Sequence, residues 1–357
     1  MPFKEPRWWY DHQSSPLVPL LRPLGAGTGW IAKRRWRTTR PYASKLPVIC
    51  VGNFTAGGTG KTPLALEVAR LLTLAGLKPV FLSRGFGGNI NGPHQVIRGT
   101  NTASEVGDEV LLLATCAPAF VARQRADGAR FIETAIATGA CAGTVIIMDD
   151  GLQNPALAKD LTIAVIDGAR GMGNGAIIPA GPLRAPLSFQ LGLTDAVVIN
   201  RPPGSTSLHP VIGQLRPQFQ GPILHATPAP AGDQTWLTNR PLVAFAGIGN
   251  PTRFYDLLRQ LKGRVVETLS FADHQPLSEV DATRILGIAA SHGAAIVTTE
   301  KDLARLQGAT GALGTLRDQS CALPIRVSWA DEDEQRFTAL LLEALARKSA
   351  SARRSVV

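Results

Sequence analysis

Residues 47–63 read PVICVGNFTAGGTGKTP, in which an apolar run leads into a glycine-rich turn that ends in lysine and threonine. The apolar run predicts a buried strand, and the apolar spacing from Pro63 to Leu74 predicts a helix. A strand, a glycine-rich loop and a helix in this order are typical of a P-loop, where backbone N–H groups and the helix dipole surround a phosphate. The sequence therefore predicts a nucleotide-binding site. Its predicted residues are Thr55, Ala56, Gly57, Gly58, Thr59, Gly60, Lys61 and Thr62.

Two side chains at the end of this loop have separate predicted roles. Lys61 reaches the β- and γ-phosphates and so takes part in catalysis, and the Thr62 hydroxyl is a ligand of Mg²⁺. The strict P-loop pattern begins with glycine, whereas Thr55 stands at that position here. The loop thus predicts a bound nucleoside triphosphate with Mg²⁺ and says little about the reaction.

Apolar runs of strand length alternate with helical spacing after the loop. Further strands are predicted over 79–83, 144–148, 161–166 and 196–199. Such alternation predicts an α/β fold with a P-loop NTPase-type parallel sheet flanked by helices. A second β–α–β series begins at residue 242 and predicts a second, smaller α/β lobe. The proline-rich part between them is predicted to be a linker or hinge.

The net charge of +10 is concentrated at the two ends of the chain. Residues 1–46 carry nine basic and two acidic side chains with four of the six tryptophans, whereas 47–346 sums to −1. Tryptophan and basic side chains favour the headgroup region of an anionic membrane. The alternative is that the tryptophans pack on the body and the basic residues form a solvated face. The predicted organisation is a membrane-surface segment (1–46), a P-loop core (47–200), a linker (201–240), a second lobe (241–346) and a basic tail (347–357).

Charge, cysteine usage and hydropathy argue against a nucleic-acid-binding protein, a disulfide-stabilised protein and a membrane-spanning protein. Because the body is not basic and carries no recognisable nucleic-acid-binding motif, we expect no nucleic acid partner. The four cysteines stand far apart without a CxxC pair, which favours a reducing compartment and thiols buried in the core. The apolar stretch over 17–31 is too short and too broken to span a bilayer.

Acidic or histidine side chains follow predicted strands or begin predicted helices at three places. Asp149 and Asp150 end a strand at the position where P-loop proteins hold Mg²⁺, or they cap the next turn. Asp108 and Glu109 begin a helix, where acidic residues are often only partners of the helix dipole. His274 lies in a strand-to-helix connection of the second lobe, where α/β proteins form sites.

Together these segments resemble the tetraacyldisaccharide 4'-kinases, the lipid A 4'-kinases of Gram-negative bacteria. The order and spacing of the shared motifs span nearly the whole chain. The motifs are VGNFTAGGTGKTP (51–63), SRGFGG (83–88), GDE (107–109), DDGLQN (149–154), GNGAIIPAGPLRAP (173–186), FADHQPL (271–277) and TTEKD (298–302).

The resemblance implies two α/β lobes with the active site between them, and transfer of the γ-phosphate of ATP to the 4'-hydroxyl of a tetraacylated disaccharide 1-phosphate, giving lipid IV-A. It implies a peripheral protein at the cytoplasmic face of the inner membrane. Asp108 is then the catalytic carboxylate and His274 its partner. The other implied roles are Mg²⁺ and phosphate binding by Glu109, Asp149, Asp150 and Gln153, and binding of anionic substrate groups by Arg84 and Arg184, with Gln153 also at the substrate.

The chain departs from the family pattern at two positions. The family motif usually reads DDGFQH, and Asn154 replaces its histidine; it usually reads GPLREP, and Ala185 replaces its glutamate. We therefore assign no catalytic role to either position. Two other classes stay open from the residues alone: a membrane-associated regulatory P-loop NTPase switch, and a membrane-surface module that uses nucleotide only structurally. The switch class typically carries a signature lysine where Ala56 stands.

Overall fold

The structure, a computed structural model, describes residues 5–10, 15–201, 209–272, 275–330 and 332–354. The helices are α1 (Leu17–Thr38), α2 (Lys61–Leu74), α3 (Ala103–Val106), α4 (Asp108–Leu113), α5 (Arg125–Ala137), α6 (Leu187–Leu191), α7 (His209–Leu215), α8 (Pro251–Gln260), α9 (Glu279–His292), α10 (Glu300–Arg305), α11 (Gly311–Gln319) and α12 (Asp333–Arg354). The strands are β1 (Val48–Asn53), β2 (Pro79–Ser83), β3 (His94–Gln95), β4 (Ala119–Val121), β5 (Val145–Asp149), β6 (Leu161–Asp167), β7 (Ala196–Asn200), β8 (Ile223–Pro230), β9 (Leu242–Ala246), β10 (Val265–Ser270), β11 (Ala295–Thr299), β12 (Ser320–Leu323) and β13 (Ile325–Trp329). Short 3-10 turns cover Arg7–Trp9 and Thr235–Leu237.

The larger sheet has the strand order β13-β8-β7-β6-β1-β5-β2-β4-β3. All neighbours from β8 to β4 are parallel, and only the outer pairs β13–β8 and β3–β4 are antiparallel. Because side chains alternate across a strand, β1 sends Ile49 and Val51 to one face and Val48 and Cys50 to the other. Helices α2, α4 and α12 cover the first face, and α5 to α7 cover the second. The predicted α/β class, with a flanked parallel sheet, is confirmed.

The second sheet has the order β10-β9-β11-β12, and its strands are all parallel. Helix α8 packs on one face, and α9 and α11 pack on the other. This is the predicted second, smaller α/β lobe. Its last strand leads directly into β13, which returns to the larger sheet, and α12 then packs on that sheet as well. The part of the chain after residue 324 therefore differs from the predicted second lobe and belongs to the first.

The predicted linker, 201–240, also differs from the structure. Its described residues form α7 and β8, and β8 is a strand of the larger sheet. β8 pairs with β7 only as far as Ala226, and from there to Pro230 it pairs only with β13. Because Pro228 and Pro230 lie in the part with one neighbour, the N–H groups that they lack leave no central ladder broken. Proline here marks a strand end with a single partner rather than a hinge.

Both ends of the chain contact the body. Trp9 is completely buried: its Nε1 donates to the Pro179 carbonyl (3.2 Å), and its own carbonyl accepts from the Asn174 N–H (2.7 Å). At the other end, α12 continues as a helix into the sequence predicted as a tail, as far as Arg354. Within it, Lys348 Nζ lies 3.2 Å from Asp160 Oδ1. None of the described helices is both long and apolar enough to cross a membrane.

The four thiols are all free, and only part of the expectation about their burial holds. Cys50 and Cys141 are buried, and burial raises the pKa of Cys50 to about 11. Cys116 and Cys321 are exposed, contrary to the expectation, because they stand in a turn and in the edge strand β12.

Candidate active site

The P-loop follows β1, the strand between β5 and β6, at the carboxyl edge of the larger sheet. Gly60 ends the loop with a φ of 90°, and a Cβ at this position would overlap the Asn200 amide group. That amide, at the end of β7, donates to the Thr59 carbonyl (2.5 Å), and the Asn53 amide donates to the Gly57 carbonyl (3.4 Å). The loop is thus held by two strand ends, so its shape exists before any phosphate binds.

Lys61 and Arg184 both face the carboxylate of Asp150. Asp150 Oδ1 accepts a hydrogen bond from Arg184 Nη1 (2.7 Å) and lies 3.9 Å from Lys61 Nζ. Arg184 Nε also donates to the Thr55 carbonyl (3.1 Å), which ties the start of the P-loop to the same cluster. Burial works against ionisation of Asp150, but Lys61 and Arg184 outweigh it and lower its pKa to about 2. Asp150 is therefore a permanent anion that positions two cations beside the loop.

Asp149, the last residue of β5, has the opposite electrostatic environment. It is 1 % exposed, and no group in the described part of the chain donates a hydrogen bond to its Oδ1. Burial, with the negative charges of Glu109 and Asp150, raises its pKa to about 7. A buried carboxylate oxygen without a donor is costly by itself, and a bound cation would satisfy it.

Asp108 begins α4 directly after Gly107, whose φ is 90°. A Cβ on Gly107 would overlap the Phe86 carbonyl, so glycine lets the GDE turn lie against the SRGFGG loop. The Asp108 side chain is 5 % exposed, and its Oδ1 accepts the N–H of Glu109 (2.8 Å). Its Oδ2 accepts from Arg305 Nε of the second lobe (2.6 Å). The charge of Glu109 acts on Asp149, so this turn and the P-loop edge form one electrostatic cluster.

The remaining predicted site residues have different surroundings. Arg84 is exposed at the carboxyl end of β2, and no described residue forms an ion pair with it. Gln153 is fixed inside the body, since its Nε2 donates to the Asn53 carbonyl (2.7 Å) and to Gln190 Oε1 (2.6 Å). Thr62 is half-buried in the first turn of α2. His274 lies outside the described residues.

The two departures from the family pattern have structural surroundings of their own. Asn154 Oδ1 accepts the Ala156 N–H (2.9 Å), which closes a turn after β5. Ala185 is fully buried, and its carbonyl accepts from Gln190 Nε2 (2.7 Å).

Sequence reasoning missed several charged and polar residues of this region. Lys301 and Arg305 reach Glu109 and Asp108 from the second lobe, and the quoted TTEKD motif was the available signal. Asn200 holds the P-loop, but a single asparagine at a strand end carries no distinctive pattern. Arg125 is 2 % exposed, and burial lowers its pKa to about 10 although Asp149 and Asp150 oppose that shift. An arginine that begins a helix is ordinarily a surface residue, so nothing in the sequence marked it as buried.

The N-terminal segment lies beside the site and presents an apolar face to solvent. A Cβ on Gly57 of the P-loop would overlap the Glu5 carboxylate, which pairs with Arg170 (3.0 Å). Helix α1 packs through Gly25 and Gly29 against Ile177 and Pro186, which belong to the motif (173–186) that also contains Arg184. The opposite side of this helix carries exposed apolar residues. They are Leu17, Leu20, Leu24 and Ile31, with Trp30 at the border of this face.

A P-loop at the carboxyl edge of a parallel sheet, with paired carboxylates at the end of the neighbouring strand, defines a P-loop nucleotide-binding protein. Residues 17–346 match the sequence model of the tetraacyldisaccharide-1-P 4'-kinase family. The chain belongs to this family.

Individual relatives agree over the whole length. The tetraacyldisaccharide 4'-kinase of Rhodopseudomonas palustris strain BisB18 is 43% identical over 354 residues, which is 99% of each chain. That of Methylorubrum extorquens is 42% identical over 345 residues, covering 96% of this chain and 99% of the relative. The crystal structure of LpxK from Aquifex aeolicus in complex with ATP superposes with a TM-score of 0.71 at 24% identity, covering 92% of this chain and 99% of the other. The likeness to the Aquifex structure supports the fold described above.

Proposed function

We propose that this protein transfers the γ-phosphate of ATP to the 4'-hydroxyl of a tetraacyldisaccharide 1-phosphate, which yields lipid IV-A. The observation that carries the proposal is the cluster of charged groups at the sheet edge. Lys61 lies beside Asp150, and the charges of Lys61, Asp150 and Glu109 all act on Asp149. Asp108 precedes Glu109 in the same turn. Membership of the family and the names of relatives that match almost end to end support the same reaction. The regulatory-switch class has no comparable support.

ATP and Mg²⁺ fit the residues of this cluster. The P-loop backbone and Lys61 would hold the phosphates, and Thr62 with Asp149 would hold Mg²⁺. No three acidic, histidine or cysteine side chains of the described residues converge as an all-protein metal site. This suits Mg²⁺, which usually binds one or two protein oxygens together with phosphates and water. Asp149 Oδ1, to which no group in the described part of the chain donates, is a ligand that the chain itself offers. When bound, Mg²⁺ would neutralise charge on the transferred phosphate.

Asp108 is the group that we assign as base, with His274 as its partner from the second lobe. A carboxylate that receives the proton of the sugar hydroxyl also directs the oxygen of that hydroxyl at the phosphorus. Proton acceptors positioned in this way raise the rate by about 10²–10⁴-fold. The exposed Arg84, in the loop against which the Asp108–Glu109 turn lies, would bind an anionic group of the substrate. Arg184 would meet the transferred phosphate while Asp150 and the P-loop carbonyl hold its guanidinium in place. Gln153, with its amide nitrogen already committed, would contribute its oxygen.

We also propose that α1 holds the enzyme at the cytoplasmic face of the inner membrane, where an acylated acceptor lies. The exposed leucines face away from the body, and basic side chains follow them along the helix (Lys33, Arg34, Arg35 and Arg37). An apolar face flanked by basic residues is typical of helices that lie in the plane of a membrane surface. Trp9 does not take part, since it is buried in the body.

The test measures ATP turnover and lipid product with three acceptors: none, tetraacyldisaccharide 1-phosphate, and its 4'-deoxy analogue. A 4'-kinase is expected to form phosphorylated lipid with the second acceptor alone, with one ATP consumed for each product. Steady ATP hydrolysis that is indifferent to all three would contradict the proposal and support the switch class.

A further inference from the structure

The TTEKD motif has no role in the chemistry described so far, yet its residues form a rigid turn in the second lobe. Thr298 Oγ1 donates to the Phe245 carbonyl (2.8 Å), which ties β11 to β9. Thr299 caps α10, since its Oγ1 accepts the Asp302 N–H (3.1 Å) and donates to Asp302 Oδ2 (2.6 Å). Asp302 is 3% exposed, and its Oδ1 also accepts the Gly247 N–H (3.1 Å). The start of α10 is therefore fixed to two strand ends of its own lobe.

This turn holds one side of the Arg305 guanidinium. Arg305 Nη1 donates to the Gly247 carbonyl and to Asp302 Oδ1, both at 2.6 Å. The side chain is 11% exposed, so these bonds are shielded from water and from salt. A planar guanidinium held at one nitrogen by two acceptors has little freedom to rotate.

The other side of the same guanidinium reaches the first lobe. Its Nε donates to Asp108 Oδ2, and Nη2 lies 2.6 Å from the same oxygen. Lys301, one turn earlier on α10, lies 3.2 Å from Glu109 Oε1 and 3.8 Å from Asp108 Oδ2. Two cations of one helix thus face two consecutive carboxylates of the other lobe.

The contacts fix both oxygens of Asp108, since Oδ1 accepts the backbone N–H of Glu109 and Oδ2 lies against Arg305. We propose that Asp302 and Arg305 are positioning residues, through which the second lobe orients the Asp108 carboxylate for transfer, while Lys301 orients Glu109. The inference rests on the proposed role of Asp108. It predicts that the second lobe contributes to the rate of transfer rather than to nucleotide affinity, because Arg305 contacts the base and not the P-loop.

The test compares Arg305→Ala, Arg305→Lys and Asp302→Asn with the wild-type chain, measuring kcat and the KM for ATP in the lipid transfer assay. Arg326→Ala is the matched control, because Arg326 pairs with Glu300 of the same helix (2.8 Å) and contacts neither Asp108 nor Glu109. We expect Arg305→Ala to lower kcat about 10²-fold, as misplacement of a reacting group does, with the KM for ATP changed less than about threefold. Asp302→Asn and Arg305→Lys should lower kcat by smaller factors. Added guanidinium ion should restore part of the rate of Arg305→Ala but not change the control.

A folded Arg305→Ala protein with wild-type kcat, or with its loss confined to the KM for ATP, would overturn the inference. If Arg305→Ala fails to fold, the Arg305→Lys variant decides. A folded Arg305→Lys protein with wild-type kcat would show that the planar geometry of the guanidinium is irrelevant, which would overturn the inference. The wild-type chain in the same assay separates the two levels of the proposal. Absence of transfer by the wild type would overturn the proposed function and the inference together, whereas transfer with an indifferent Arg305 would overturn the inference alone.

Discussion

The two lobes bring their charged groups to the site in different ways. In the first lobe, the P-loop and the Asp149–Asp150 pair end neighbouring parallel strands, and backbone or short side-chain contacts fix them. In the second lobe, Lys301 and Arg305 stand on a short helix and reach Glu109 and Asp108 from across the boundary between the lobes. The first arrangement is complete within one sheet, whereas the second depends on how the lobes meet. We infer that the first lobe binds nucleotide and that the second lobe completes the geometry of transfer.

The adjacent carboxylates of the first lobe repeat this contrast on a smaller scale. Asp150 faces two cations and keeps its charge, whereas Asp149 is buried, no described group donates to its Oδ1, and its pKa is raised to about 7. One carboxylate therefore organises the site before any ligand binds, and the other is satisfied only when a cation arrives. Sequence position alone does not distinguish the two.

The largest effect should come from Lys61→Ala in the first lobe. Loss of the ammonium group removes the charge that faces the phosphates, and we expect transfer to fall by about 10³-fold or more. ATP binding should weaken as well, because the lysine contacts the nucleotide in the ground state. Calorimetric titration with ATP and the transfer assay measure both. ATP affinity at the wild-type level would contradict the inference that the first lobe binds nucleotide through Lys61.

Asp149→Asn should separate the two carboxylates by their response to pH. Because its pKa in the folded, metal-free protein lies above the value of about 4 in an unfolded chain, Asp149 binds its proton more tightly in the folded state. Its contribution to the free energy of unfolding is fully present below about pH 4 and is lost as the pH rises to about 7. The amide of the variant carries no charge at any pH, so the variant should gain in melting temperature over wild type at pH 8 but not at pH 4 to 5.

Thermal unfolding without Mg²⁺ at both pH values measures this difference. Asp150→Asn is the matched control and should lose stability at pH 8, because it leaves Lys61 and Arg184 without their anion. An equal shift at both pH values for Asp149→Asn would show that its carboxylate is not destabilised by burial. The same variant should also lose its Mg²⁺-dependent gain in ATP affinity.

The smallest effect on the chemistry should follow from Leu20→Ser with Leu24→Ser on α1. These leucines are 71% and 61% exposed, so the change should leave the fold and the transfer to a detergent-dispersed acceptor unchanged. Binding to anionic vesicles should weaken by up to about 10³-fold, because each of the two leucines that enters the membrane contributes about 2 kcal/mol. Vesicle flotation measures this binding. Leu74→Ser, at an equally exposed leucine of α2, is the control, and an equal loss there would contradict a specific role of α1.

Contiguous signals allowed the central part of the fold to be predicted. The strand, loop and helix of the P-loop follow one another in the sequence, so their geometry is local and was readable from residues 47–74. Composition indicated the N-terminal segment for which we propose membrane contact, but it did not indicate where that segment begins. Trp9 is covered by the turn at Asn174 and by Pro179, which are distant in the chain.

The parts that escaped prediction depend on contacts between distant segments. Prolines made β8 resemble a linker, and only its pairing with β13 explains how a strand tolerates them. The positions of Asp108 and Glu109 at a helix start were correctly read, while their cationic partners lie almost two hundred residues later. The resemblance to the kinase family provided the roles of these residues, and periodicity did not.

The assigned role of Asp108 is tested by transfer of the γ-phosphate from labelled Mg·ATP to tetraacyldisaccharide 1-phosphate in detergent micelles, with wild type and Asp108→Asn side by side. The substitution keeps the shape of the side chain and removes its charge, and thermal unfolding with ATP titration establishes that the variant is folded and binds nucleotide. We expect labelled lipid with the wild type and a rate lower by about 10²–10⁴-fold with the variant. A folded, ATP-binding Asp108→Asn protein that labels the lipid at the wild-type rate would contradict it.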